Sequence, residues 1–150
     1  MGASDWHHVV PFQPDLTQAL ADLHRQVVAA GAFYWPLRES PDDPLPTSLD
    51  EILHEPELEY SGTHSVLDIG RVIDAEAEDE FGALRPLTAA ETVELLGAAR
   101  PTRADFGRGY GDGTGPLLNE AQRWSGYAVP LYDGDDATPA SIGIWGYSGD

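Results

Sequence analysis

Residues 124–147, WSGYAVPLYDGDDATPASIGIWGY, hold two β-rich runs and a link built to turn. Trp124 to Tyr132 and Ala140 to Tyr147 are the runs. The Asp133–Pro139 link supplies Gly134 and Pro139, so the segment reads as an antiparallel hairpin. Working back from it, Leu16, Ala19, Leu20, Leu23, Val27 and Ala30 recur at helical spacing, and Gly31 stands where a C-terminal cap belongs. His7 to Phe12 reads as a strand with Trp6, His8, Val10 and Phe12 on one face and His7 and Val9 on the other. Phe33 to Trp35 is expected as a second strand, stopped by Pro36. Pro36, Pro41, Pro44 and Pro46 make 36–47 an extended loop.

Two capping boxes mark helix starts, Ser48 with Glu51 and Thr88 with Glu91. The first opens a short helix to about His54, and the second a helix that Gly97 ends. Between them, Thr63 to Ile73 is β-rich, Asp74 to Glu80 is a solvated acidic loop, and Phe81 to Leu87 is strand-like. Thr102 is an N-cap for a short helix around Phe106, which the glycines from Gly107 to Gly115 break. Leu117 to Arg123 forms the last helix. The order β-α-β, loop, α, β-β, α-α-α, β-β predicts an α+β fold, with helices packed on a largely antiparallel sheet. No repeat or linker divides it, so residues 1–150 read as a single domain.

The charge is lopsided: 26 Asp and Glu stand against 8 basic residues, all Arg, for a net charge of −18. Residues 1–80 hold 17 acids and 3 Arg, while residues 81–123 balance at 5 and 5. Nucleic acid and anionic membrane are poor partners for such a chain, since binding them needs cations to displace counterions. The lack of Lys beside abundant Ala, Arg, Gly and Pro also fits a compositional bias of the genome. The 4 Trp, 6 Tyr and 4 Phe separate the chain from disordered acidic sequences. With no Cys there is no disulfide or thiolate chemistry. No signal peptide and no run of roughly 20 apolar residues is present, so a cytoplasmic protein is expected.

Candidate chemistry is sparse. His7 and His8 are adjacent and point to opposite faces of a strand. His54-Glu55-Pro56-Glu57-Leu58 lacks the second His of a zinc-protease helix. His8, His64 and Asp68 are the catalytic candidates if the protein is an enzyme, although on a strand His64 and Asp68 would lie about 13 Å apart. The glycine run lacks the Lys of a phosphate loop and is expected to be a mobile surface loop. Asp133, Asp135 and Asp136 miss the calcium-hand pattern, because Thr138 stands at position six and Ile144 at position twelve. No Gly-x-Ser-x-Gly elbow occurs. Arg100, Thr102 and Arg103 flank a helix start and form an anion-binding candidate, or a dock for the chain's own acidic loop. Trp124, Tyr127, Tyr132, Trp145 and Tyr147 serve mostly as core, with some able to line a pocket or anchor an interface.

Phe81-Gly82-Ala83-Leu84-Arg85-Pro86-Leu87-Thr88-Ala89-Ala90-Glu91-Thr92-Val93, with Met1-Gly2 at the start, is similar to the YfbM-like family of small uncharacterised α+β bacterial proteins. The likeness implies an α+β fold and carries no activity or site residue over.

No metal and no cofactor is expected. The acidic first half points to a non-enzymatic interaction protein that masks a basic protein partner. Small acidic α+β domains of this kind resemble immunity proteins and antitoxin-like inhibitors, whose negative surface steers onto a cationic site. Glu55, Glu57, Glu59, Asp74, Glu76, Glu78, Asp79 and Glu80 are the expected contact residues. The alternative is a small-molecule enzyme or binding protein of a biosynthetic pathway, with a pocket of His, Arg and aromatic side chains.

Overall fold

In the computed structural model, residues 3–119 and 121–149 are described. Asp15 opens the first helix, α1 (Leu16–Ala30), by accepting a hydrogen bond from the Gln18 N–H. Gly31, at φ 64°, closes it with its N–H on the Val27 and Val28 carbonyls. Ala19, Leu20, Leu23 and Val27 form the buried stripe of this helix. The stripe belongs to a core with Trp6 and Val10 of β1 (Asp5–Pro11) and Ile142 and Ile144 of β5 (Ser141–Tyr147). Each large aliphatic side chain buried there contributes roughly 1.5–3 kcal/mol.

Five strands form one sheet in the order β1-β5-β4-β3-β2. β4 (Ser125–Leu131) and β5 are antiparallel neighbours, with Tyr127 opposite Trp145, and β1 pairs antiparallel with β5. β3 (Ala83–Pro86) instead runs parallel to β4, and the two-residue β2 (Arg71–Val72) runs parallel to β3. The sheet is therefore mixed: its β1-β5-β4 part is antiparallel as expected, and its β3-β2 edge is parallel. The cause is the connection: helices lie between β3 and β4, and a crossover of that length returns the chain parallel. Those helices are α4 (Ala89–Leu96), α5 (Arg103–Tyr110) and α6 (Pro116–Asn119). They build a second core with Phe106, Leu117, Tyr127, Val129 and Trp145 on the opposite face from α1. Gly143 makes room for this packing, because a Cβ there would stand 2.7 Å from the Phe106 ring.

Three stretches depart from expectation. Phe33 to Trp35 is not a strand; its link to the rest is a hydrogen bond from the Tyr34 N–H to the Thr63 carbonyl, and Trp35 turns inward. Thr63 to Ile73 is mostly a compact turn, with a 3-10 helix at Val66–Asp68 and only Arg71–Val72 in the sheet. Val66, Leu67 and Ile69 are all buried, a contiguous apolar run that periodicity alone does not tell from a strand. The glycine run is not one continuous loop either. Gly107 and Gly109 lie inside α5, which ends at Gly111. Gly109 is buried close against Leu96 and Leu117. Glu120 of the expected Leu117–Arg123 helix, and Met1-Gly2, lie outside the described residues.

Candidate functional site

Two short helices carry the first acidic cluster. α2 (Leu49–Leu53) starts at Ser48, whose hydroxyl accepts from the Glu51 N–H, and α3 (Leu58–Ser61) follows after Pro56. Ile52 and Leu58 point into the core, which leaves Leu53 53% exposed beside them. Across from these helices stands Phe81, 65% exposed, with its ring centroid 4.9 Å from that of Trp124. Leu53, Glu55, Leu58, Glu59, Phe81 and Trp124 thus line an open groove of about 390 Å³. Its walls are apolar and its margin is acidic. Glu57 lies exposed between the two glutamates that line it.

The backbone around this groove is held in uncommon conformations. Trp124 has φ 61°, a left-handed value that is a real outlier for a bulky residue. Gly62 has φ 66°, and a Cβ there would stand 2.9 Å from the Trp124 ring and 2.6 Å from an Asp68 carboxylate oxygen. Gly62 is therefore what lets Trp124 lie against the turn. Gly62→Ala is expected to cost about 2–4 kcal/mol, from left-handed strain plus overpacking. Chemical denaturation of the two proteins measures that loss, and an unchanged midpoint counts against the packing described.

A second constellation surrounds Arg85, the only Arg buried among the described residues. Strand alternation puts it on the α4 side of β3, where its side chain is 10% exposed. Its Nη1 and Nη2 donate to the two Glu91 carboxylate oxygens at 2.7 and 2.9 Å, a bidentate fork. Its Nε donates to Asp79 at 2.6 Å, and Nη1 also reaches the Ala75 carbonyl. Tyr127 donates its hydroxyl proton to the other Asp79 oxygen at 2.8 Å and accepts from the Gln122 N–H. Glu91 also closes the capping box of α4, accepting from the Thr88 N–H.

These contacts set the local ionisation. Hydrogen bonds from Arg85 hold the Glu91 carboxyl down at about 2, from an ordinary 4.5. The same bond to Glu91 raises the Arg85 guanidinium further above its already high range. Burial pushes the Tyr127 phenol up. A cleft of about 260 Å³ opens beside the network, lined in part by Leu95, Gln122 and Trp145. Four of the five N–H donors of Arg85 already have protein acceptors, so the cation serves as a clamp between β3, α4 and the acidic loop.

The remaining candidates are scattered. His8 sits half-buried on edge strand β1 near Trp6, its pKa lowered first by burial and then by His7. His64 precedes β2, at the opposite edge, and stacks on Tyr34 with centroids 4.5 Å apart. Asp68 is drawn back by the 3-10 turn to accept from the Thr63 N–H and hydroxyl at 2.6 and 2.8 Å, so the extended 13 Å spacing from His64 does not apply. Among the described residues no group of three His, Asp or Glu is placed to hold a metal ion.

Thr102 and Asp105 cap α5 reciprocally, which occupies the helix start with the chain's own carboxylate. Arg100 stacks over Tyr132 and Arg103 is exposed. The acidic loop meets other arginines: Glu80 pairs with Arg71, and Asp79 pairs with Arg85. Asp79 is only 14% exposed, so the loop is not solvated throughout as expected. Glu55, Glu57, Glu59, Asp74, Glu76 and Glu78 meet no Arg among the described residues.

Two features escaped sequence reading. The groove draws Leu53, Phe81 and Trp124 from three separate segments, and no local pattern links them. The clamp had a faint signal, a lone Arg in the apolar strand Ala83–Pro86 six residues before a capping-box Glu.

These arrangements define a mixed-sheet α+β protein with an acid-rimmed apolar groove and an Arg clamped between two carboxylates. No protein family matches the chain, and no curated protein or solved structure matches it significantly. No helix among the described residues is long and apolar enough to cross a membrane.

Proposed function

We propose that this chain is an acidic interaction protein of the cytoplasm that binds a basic protein partner and masks it, in the manner of an immunity protein or inhibitor, without catalysing a reaction. The observation that carries this reading is the set of glutamates on and beside the groove, Glu55, Glu57 and Glu59, which no Arg of the described chain neutralises. Carboxylates left unpaired at a surface steer a cationic partner and speed its encounter. Asp74, Glu76 and Glu78 extend the negative field along the chain.

The second reading, a small-molecule enzyme or binding protein with a His/Arg/aromatic pocket, draws on the cleft at Arg85, Tyr127 and Trp145. No His lines that cleft, and its Arg is already spent on Glu91 and Asp79. The interaction reading therefore has the stronger support.

A pull-down from native lysate at low and at high salt tests it. The expected result is a partner of high isoelectric point retained at low salt and released at high salt. Recovery of no such salt-sensitive basic protein would sink the idea.

A further inference from the structure

We infer that the groove between α2–α3 and the Phe81–Trp124 pair is the anchor site of this interaction, and that it takes one large apolar side chain presented by a partner segment with Arg or Lys on both sides of it. This rests on the acidic-partner reading and names what the partner must display there. Three observations converge. The concavity is large enough, at about 390 Å³, for a Leu or Phe side chain to enter. Two large apolar side chains that line this one concavity are exposed together, Leu53 at 53% and Phe81 at 65%. Glu55 and Glu59 line the same concavity, and Glu57 lies between them in sequence.

Charge complementarity decides the occupant. An acidic partner would be repelled by this rim and by the net charge of −18. A second copy of the chain would be repelled in the same way. A purely cationic segment would leave the Leu53–Phe81 wall in contact with water. An apolar residue between cations satisfies both halves of the site: the side chain fills a central desolvated pocket and the charges face the polar rim. The left-handed backbone at Trp124 is consistent with this use, since strain of that kind concentrates at binding sites.

The test uses the full chain and two synthetic peptides, Arg-Arg-Leu-Arg-Arg and Arg-Arg-Ala-Arg-Arg, both with blocked ends. Binding is followed at low and high salt by ¹H–¹⁵N correlation spectra. The Leu peptide is expected to bind about tenfold tighter than the Ala peptide, in keeping with burial of a Leu side chain. Its largest shifts are expected at Leu53, Phe81 and the Trp124 indole. In the Leu53→Ser/Phe81→Ser variant the two peptides become equal, while the weaker salt-sensitive binding persists. Both substituted positions are exposed, and the peak dispersion of the variant's own spectrum checks that the fold is kept.

Equal binding of both peptides by the native protein, abolished by salt, overturns the groove and leaves the acidic surface standing. A preference for Leu that survives in the double variant also overturns the groove, since the anchor then binds elsewhere. No binding of either peptide at low salt overturns the groove and the acidic-surface reading together.

Discussion

Replacing Arg85 with Met is expected to destabilise the protein by about 3–5 kcal/mol at neutral pH. A typical domain is stable by only about 5–15 kcal/mol, so this is a large share of the whole. The loss comes from what is left behind. Asp79 and Glu91 would keep their charges in a mostly buried setting without the guanidinium that offsets their desolvation. The Met fills a similar volume, so a lost contact area does not account for the effect. Arg85→Lys is expected to fall between the two, because a point charge does not reproduce the fork to Glu91 and the separate bond to Asp79.

The pH dependence carries a sign that a mere packing defect lacks. Glu91 has its folded pKa depressed from 4.5 to about 2. Its contribution is therefore fully present above about pH 4.5 and lost as pH falls through about 2. Arg85→Met removes that contribution. The stability gap between native protein and variant should accordingly narrow between about pH 4.5 and 2. Denaturant titrations across this range measure the gap. A gap below about 1 kcal/mol at neutral pH, or one that does not change with pH, counts against the clamp.

Trp145→Ala carries the other large effect, about 3–5 kcal/mol. Trp145 is buried in the middle of β5, with ring centroids 5.6 Å from Phe106 and 5.7 Å from Tyr127. Its indole N–H donates to the Leu117 carbonyl at 3.1 Å and so ties α6 to the sheet. Removing the ring opens a cavity between α5 and β4 that close-packed neighbours fill only in part. Trp145→Phe keeps most of the apolar ring and gives up the hydrogen bond, so it should cost about 1–3 kcal/mol. Thermal and urea unfolding of both variants check the ranking. Equal losses for Ala and Phe would mean that the hydrogen bond, not the ring, holds the second core.

Local signals in the chain were legible; pairings between distant segments were not. α1 was readable from end to end because its apolar stripe and its Gly31 cap lie within sixteen residues. The Thr88–Glu91 box and the hairpin of β4 and β5 are equally local. The parallel pairing of β3 with β4 was hidden, because it depends on three intervening helices folding back over one face. Gly107 and Gly109 illustrate tertiary override. Each lowers helix propensity by about 1 kcal/mol, yet the packing of Phe106 and Tyr110 holds α5 together around them. In the sites, Glu91 was visible as a helix cap and invisible as the partner of Arg85. Asp79 looked like one solvated acid among five until its burial against Tyr127 set it apart from Glu78 beside it.

The most direct measurement is the salt dependence of affinity for one and the same captured partner, compared between the native protein and the Glu55→Gln/Glu57→Gln/Glu59→Gln variant. At ordinary ionic strength the screening length is about 8–10 Å, so rim charges near a bound cation remain sensitive to added salt. The expected result is an affinity that falls steeply with salt in the native protein. In the variant it should start lower and depend on salt much less. A native affinity that does not change with salt, or a variant that binds as the native protein does, would contradict an acidic surface built to receive a basic partner.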